Sequence, residues 1–193
     1  MRTSPENVCI GAFPEDHPER ILHDKRYGLA CEVAGGITID AACGFGFGSE
    51  QLARKSAVTT VLGYDRDQTA IWHGQALYAR PRKKDKAATP LTFHCEDLED
   101  PVFPLCDTFV CIETLEHLER PETFVAAACR STAERIVVST PIVPTIATNP
   151  WHVQDFTVGQ VNKLFADRGW YSGWTEFVKD IYLLAVYIPE PRR

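Results

Sequence analysis

Ile37-Thr-Ile-Asp-Ala-Ala-Cys-Gly-Phe-Gly-Phe-Gly-Ser49 reads as a short buried strand running into a glycine-rich turn, with an acid, Asp40, just ahead of the glycines. Glycines at 44, 46 and 48 allow positive φ and a close approach of backbone to a ligand. A helix expected from Ser49 to Lys55 would aim its first N–H groups at that ligand. The acid selects among ligands. A carboxylate at this point repels a dinucleotide pyrophosphate and attracts a free amine and a sulfonium charge. Ser49 also stands where a G-x-G-x-x-G fingerprint places its third glycine. The loop therefore favours S-adenosylmethionine over a dinucleotide.

Outward from this loop, strand and helix patterns alternate. Strands are expected near 37–41, 60–64, 91–95, 107–112 and 135–140, and helices near 18–34, 49–56, 67–79, 121–130 and 157–168. Two final β-rich runs, 170–178 and 181–188, are separated only by Lys179 and Asp180, which reads as a hairpin. The expected fold class is α/β: a doubly wound, mostly parallel seven-stranded sheet of Rossmann-like type with a C-terminal antiparallel hairpin. The length suits a single domain over 1–193, with 1–17 as an N-terminal extension.

Composition narrows the function classes. No apolar run has the length of a membrane span and the first residues lack a signal-peptide core, so a cytoplasmic chain with no membrane partner is expected. The seven cysteines include no C-x-x-C pair and several sit in apolar strands, which favours reduced core thiols. A formal net charge of −6 argues against broad binding to nucleic acid. The loop at 80–90 carries five basic side chains and would supply phosphate handles if the substrate were RNA.

In parallel sheets of this kind ligands sit at the carboxyl ends of strands, so the residues ending each strand matter most. Asp65 ends the second, where an acid can accept from both ribose hydroxyls; Asp67, two residues on, suits a helix N-cap. Asp97 and Leu98 follow the third, placed for an adenine amino group and a ring nitrogen. Three acids after three successive strands make a cofactor site.

Five stretches then occur in a telling order: His23-Asp-Lys-Arg-Tyr27, Asp40-Ala-Ala-Cys-Gly-Phe-Gly-Phe-Gly-Ser49, Glu113-Thr-Leu-Glu-His-Leu118, Ser139-Thr-Pro141 and Asn149-Pro-Trp-His-Val-Gln-Asp-Phe156. Together they resemble the class I S-adenosylmethionine-dependent methyltransferases, in particular a bacterial-type group, over residues 20–188. The resemblance implies that S-adenosyl-L-methionine is the methyl donor and S-adenosyl-L-homocysteine the product. It implies further that Asp40, Gly44 and Gly46 hold the methionine end, Asp65 the ribose and Asp97 the adenine with Arg66 flanking it, and that Ala41, Cys43, Leu98 and Glu113 belong to the same cofactor-binding set. Two departures stand out. Phe45 replaces an acid common between the first two glycines, and Ser131-Thr-Ala-Glu134 replaces a Lys-Pro-Gly-Gly turn, implying a shorter loop.

Glu113, Glu116 and His117 follow the fourth strand, and His152 lies in the Pro-rich loop at 141–156. A strand-end carboxylate with a second acid and an imidazole three and four positions later can converge on one point. These four are the candidate catalytic residues. Two carboxylates and two imidazoles also suit Mg²⁺, Mn²⁺, Fe²⁺ or Zn²⁺. Such a cation would lower the pKa of a hydroxyl acceptor while a histidine takes its proton. The quartet resembles the metal site of small-RNA 2′-O-methyltransferases, and ubiquinone-pathway O-methyltransferases share Glu-x-x-Glu-His. Metal-free acid–base chemistry, or a purely structural role as strand buttress and loop anchor, stands beside that reading. Arg26 and Tyr27 would either close over the cofactor or pack on the surface. Trp151, Trp170 and Trp174 would line a substrate pocket or pack in the core.

The sequence thus points to methyl transfer to an oxygen of a small molecule or glycan. An RNA ribose 2′-O-methyltransferase and a non-catalytic S-adenosylmethionine-binding regulatory module are the alternatives.

Overall fold

The computed structural model of the chain describes residues 9–79 and 89–191. Seven strands and five α-helices alternate in the expected α/β order, mostly parallel and closed by an antiparallel hairpin. The chain falls into two compact units, Met1–Asp97 and Leu98–Arg193. Most of the basic loop at 80–90 lies outside the described residues, as does the start of the 1–17 extension.

In the first unit a 3-10 turn, Ile10–Ala12, precedes α1 (Pro18–Val33), which is opened by Pro18 in its first turn and by His17, whose side chain accepts from the Glu19 N–H. Its buried face is Leu22, Arg26, Tyr27 and Ala30. Then come β1 (Gly36–Ala41), α2 (Phe47–Ala53), β2 (Val58–Asp65), α3 (Gln68–Leu77) and β3 (Leu91–Cys95). The strands lie parallel in the order β3-β2-β1. In register, Asp40 faces Gly63 and Asp65 faces Cys95, so the two acids finish neighbouring strands. The Asp67 carboxylate caps α3 by accepting from the N–H groups of Thr69 and Ala70. Helix α2 starts at Phe47, two residues earlier than expected, because Gly46 at φ +80° turns the chain directly into it.

The second unit holds β4 (Cys106–Ile112), α4 (Pro121–Ser131), β5 (Thr132–Pro141), α5 (Val158–Ala166), β6 (Trp170–Val178) and β7 (Tyr182–Pro189), with strand order β4-β5-β7-β6. Strand β5 is parallel to β4 and antiparallel to β7, which is antiparallel to β6. The chain passes from α4 to β5 with no intervening residue, and the hydroxyls of Ser131 and Thr132 both donate to the Ala128 carbonyl. The missing Lys-Pro-Gly-Gly turn has left no loop at all. Lys179 and Asp180 sit at φ +54° and +55°, the left-handed pair that a tight hairpin turn requires. The core here is aromatic: Phe109 and Phe124 meet edge to face, and Phe165 stacks on Tyr187 at 3.9 Å. Trp170 is buried with them, whereas Trp174 is exposed and Trp151 half-buried.

The cysteines among the described residues are free thiols. No described helix is long and apolar enough to cross a membrane.

Candidate functional site

The glycine loop of the first unit is bent by three left-handed residues, Ala42, Gly44 and Gly46, at φ +59°, +53° and +80°. The reason for glycine differs along it. A Cβ on Gly46 would lie 2.4 Å from the Phe93 ring, and one on Gly48 would lie 2.1 Å from the Tyr27 ring. The space at these two positions is filled by the protein's own rings rather than kept for a ligand.

Asp40 is fully buried at the end of β1. Its Oδ1 accepts from the Tyr27 hydroxyl at 2.9 Å and its Oδ2 from the Ser49 hydroxyl at 2.6 Å. Burial pushes its carboxyl up to about 7, against the opposing pull of the Ser49 and Tyr27 donors, and the Asp65 charge adds to the rise. The same burial, reinforced by Asp40, holds the Tyr27 hydroxyl well above the ordinary phenolic range. Asp40 therefore joins β1, α1 and α2 from inside. Tyr27 and Arg26, expected at the surface or over the cofactor, are both buried.

Asp65 reaches the loop from β2. Its Oδ2 accepts from the Gly44 N–H and its Oδ1 from the Asp67 N–H, both at 2.8 Å. Burial raises its carboxyl above the ordinary range, opposed by those two backbone donors. Ala41, Cys43, Gly46 and Leu98 are buried, Gly44 is half-buried, and Arg66 and Asp97 are exposed at the ends of β2 and β3. The Cys43 N–H donates to the Tyr64 carbonyl, tying the loop to β2. The acids expected to form one series thus differ in kind: Asp40 is interior, Asp65 braces the loop and Asp97 is open to solvent.

In the second unit the chain leaves β4 through Glu113, at φ +51°, into a 3-10 turn over Leu115–His117. Glu113 is held against β5, where its N–H donates to the Ser139 carbonyl at 2.9 Å and its Oε1 accepts from the Ser139 hydroxyl. Glu116 is buried and its Oε2 accepts from the Thr140 hydroxyl at 3.0 Å. The 141–156 loop is fastened to this turn, because the N–H of Val153 donates to the Glu116 carbonyl. That attachment brings in His152. Its ring meets the His117 ring edge to face, with centroids 4.7 Å apart.

Glu116, His117 and His152 each offer a ligand atom within 4.8 Å of the others'. Glu113 is not in that group. The convergence expected of four residues is therefore one of three, since the left-handed turn at Glu113 sends its carboxylate to Ser139 instead. His117 has a defined tautomer. Its Nδ1 lies 3.1 Å from the Trp151 carbonyl oxygen, which only accepts, so Nδ1 carries a hydrogen and, in the neutral ring, Nε2 has the lone pair. Ser139, Thr140 and Thr145, whose hydroxyls lie against Glu113, Glu116 and His152, carry no signal by residue type. Only the Ser-Thr-Pro stretch hinted at the first two.

Comparison with known proteins bears on the family and the fold. A family model described as "Methyltransferase domain" matches residues 39–135. A ubiquinone biosynthesis O-methyltransferase from Alkalilimnicola ehrlichii is 31% identical over 116 residues, 56% of this chain and 45% of that protein. A probable S-adenosylmethionine-dependent methyltransferase from Mycolicibacterium smegmatis is 27% identical over 157 residues, 73% of this chain and 54% of that protein. The chain spans about half the length of these curated relatives. Among solved structures, magnesium protoporphyrin IX methyltransferase from Synechocystis PCC 6803 with bound S-adenosylhomocysteine superposes with a TM-score of 0.76 at 16% identity, covering 94% of this chain and 91% of that one. An N-methyltransferase from Bradyrhizobium japonicum WM9, in complex with S-adenosyl-L-homocysteine, gives 0.70 at 16% identity, covering 92% and 90%. At such identities these likenesses concern the fold.

Proposed function

Because the chain belongs to the methyltransferase-domain family, in its class I S-adenosylmethionine-dependent form, we propose that it transfers the S-adenosyl-L-methionine methyl group to a hydroxyl oxygen of a small molecule or glycan. The observation that carries the reading is the gathering of Glu116, His117 and His152 within 4.8 Å. A hydroxyl is a weak nucleophile until its proton leaves, and an imidazole held beside a buried carboxylate suits that task. The acceptor oxygen bonds to the methyl carbon as the carbon–sulfur bond breaks. The electron pair of that bond neutralises the sulfonium, giving S-adenosyl-L-homocysteine, and the hydroxyl proton passes to the imidazole. Glu116 stabilises the imidazolium so formed. In this reading the glycine loop would hold the donor, with Asp65 meeting the ribose and the Gly44 backbone the methionine end; the support is that Asp65 already braces that loop through the Gly44 N–H.

The three residues also fit a divalent cation of the Mg²⁺, Mn²⁺, Fe²⁺ or Zn²⁺ class. One buried carboxylate and two imidazoles form a mixed O/N donor set, and the Nδ1 atoms of both rings are engaged by the protein, at the Trp151 carbonyl and the Thr145 hydroxyl. Glu116, His117 and His152 would hold the ion, and Glu113, committed to Ser139, would not. When bound, it would lower the pKa of the acceptor hydroxyl.

The relative that carries an O-methyltransferase name supports oxygen as acceptor. A net charge of −6 weighs against the RNA alternative. The test is formation of S-adenosyl-L-homocysteine from S-adenosyl-L-methionine with a panel of phenols, sugars, amines and short RNAs, each with and without a chelator. Turnover on a hydroxyl acceptor that is lost in His152→Ala supports the reading. Turnover confined to amines or RNA, or intact in both His152→Ala and His117→Ala, overturns it. Loss of turnover on chelation, restored by one added cation, would assign the metal.

A further inference from the structure

The Pro-rich loop carries one acid, Asp155, three residues beyond His152. It is exposed, yet its Oδ1 gathers three donors: the Thr145 N–H at 2.6 Å, the Thr145 hydroxyl at 3.0 Å and the Ile146 N–H at 3.3 Å. Those bonds hold its carboxyl below the ordinary range, the Thr145 backbone N–H contributing most. The Thr145 hydroxyl also lies 2.6 Å from His152 Nδ1. One hydroxyl oxygen thus stands between a carboxylate and an imidazole.

We propose that Asp155 and Thr145 are positioning residues that fix His152 in the tautomer with hydrogen on Nδ1 and the lone pair on Nε2. A threonine hydroxyl has one hydrogen to give, and an ionised carboxylate can only accept. The hydrogen therefore goes to Asp155, and the oxygen's remaining lone pair must be met by a donor, which is Nδ1–H of His152. The relay runs from His152 through Thr145 to Asp155. It orients the ring as well as its tautomer, because the two backbone N–H bonds to Asp155 anchor the far end. Its outcome matches that at His117, whose Nδ1–H is set by the Trp151 carbonyl. Both rings then carry their lone pair on Nε2, the form needed to take a proton from a hydroxyl or to ligate a cation. The consequence for turnover rests on the proposed role of His152 in methyl transfer; the tautomer does not.

Long-range ¹H–¹⁵N correlation spectra of the uniformly labelled full chain, at a pH where the rings are neutral, read the tautomer directly. The His152 signals are identified by their disappearance in His152→Gln. The wild type and Thr145→Ser, which keeps the hydroxyl, are expected to show the Nδ1–H form. Thr145→Val and Asp155→Ala are expected to shift His152 toward Nε2–H, with His117 unchanged. A wild-type His152 in the Nε2–H form, or an unchanged tautomer in Thr145→Val, overturns the proposal. Kinetics on an accepted substrate separate the two claims. Thr145→Val should lower kcat about 10- to 100-fold, in the usual range for residues that orient a working imidazole, and leave donor affinity intact. A tautomer that follows Thr145 while kcat does not would keep the relay and remove His152 from the chemistry.

Discussion

Tyr27 donates its phenolic hydrogen to Asp40 Oδ1 across 2.9 Å, and both side chains are buried. This contact joins α1 to the end of β1 and sets the ring of Tyr27 where a side chain on Gly48 would otherwise stand. The glycine loop is thereby shaped from behind, by the core.

Stability should fall with rising pH through Asp40. Its carboxyl is raised to about 7 from an ordinary 3.8, chiefly by burial. A group whose folded pKa is raised contributes stability that is fully present below the unfolded pKa and is lost as pH rises through the folded one. Urea unfolding of wild type and Asp40→Asn between pH 4 and 7 should show the wild type losing ground to the variant by roughly 4 kcal/mol at most. A difference that stays flat over that window would mean the acid is not buried as found.

His23 should slope the other way. It stacks on Tyr27 at 4.5 Å, and burial lowers its imidazole to about 4 from 6.5, partly offset by Asp24. A depressed pKa gives stability that is present above pH 6.5 and lost as pH falls toward 4. In His23→Leu that acid-side loss should vanish, so the wild-type-minus-variant difference should rise with pH across the interval where Asp40 makes its own difference fall.

Gly48→Ala tests the packing account of the loop. The added methyl would meet the Tyr27 ring at 2.1 Å, a distance no side-chain shift of ordinary cost relieves. Destabilisation of about 1–3 kcal/mol by chemical denaturation is expected for such overpacking. Pairing it with Tyr27→Ala should remove the clash and leave a combined loss smaller than the sum of the two single losses.

The sheet was largely legible because its signals are local. Apolar runs end in acids at Asp40 and Asp65, Asp67 caps α3, and Lys179-Asp180 closes the hairpin. Boundaries moved where a tertiary contact or a single torsion decided: Gly46 starts α2 early, and Ser131 and Thr132 let β5 follow α4 directly. The cluster of Glu116, His117 and His152 was legible as a spacing. Three things were not. Glu113 leaves the group through a left-handed φ that nothing in Ile-Glu-Thr announces. Asp40 turned inward because its two partners, Tyr27 and Ser49, are 13 and 9 residues away and their side chains had to be seen together. The relay through Thr145 and Asp155 is hidden for the same reason.

We propose that the first unit holds the methyl donor, at Asp65 and the Gly44 loop. Isothermal titration of the full chain with S-adenosyl-L-homocysteine tests it most directly. The account predicts one site per chain, weakened about 10- to 100-fold in Asp65→Ala, as loss of charge-assisted hydrogen bonds implies, and unchanged in His152→Ala. No heat of binding to the wild type, or equal affinity in a folded Asp65→Ala chain, would contradict it.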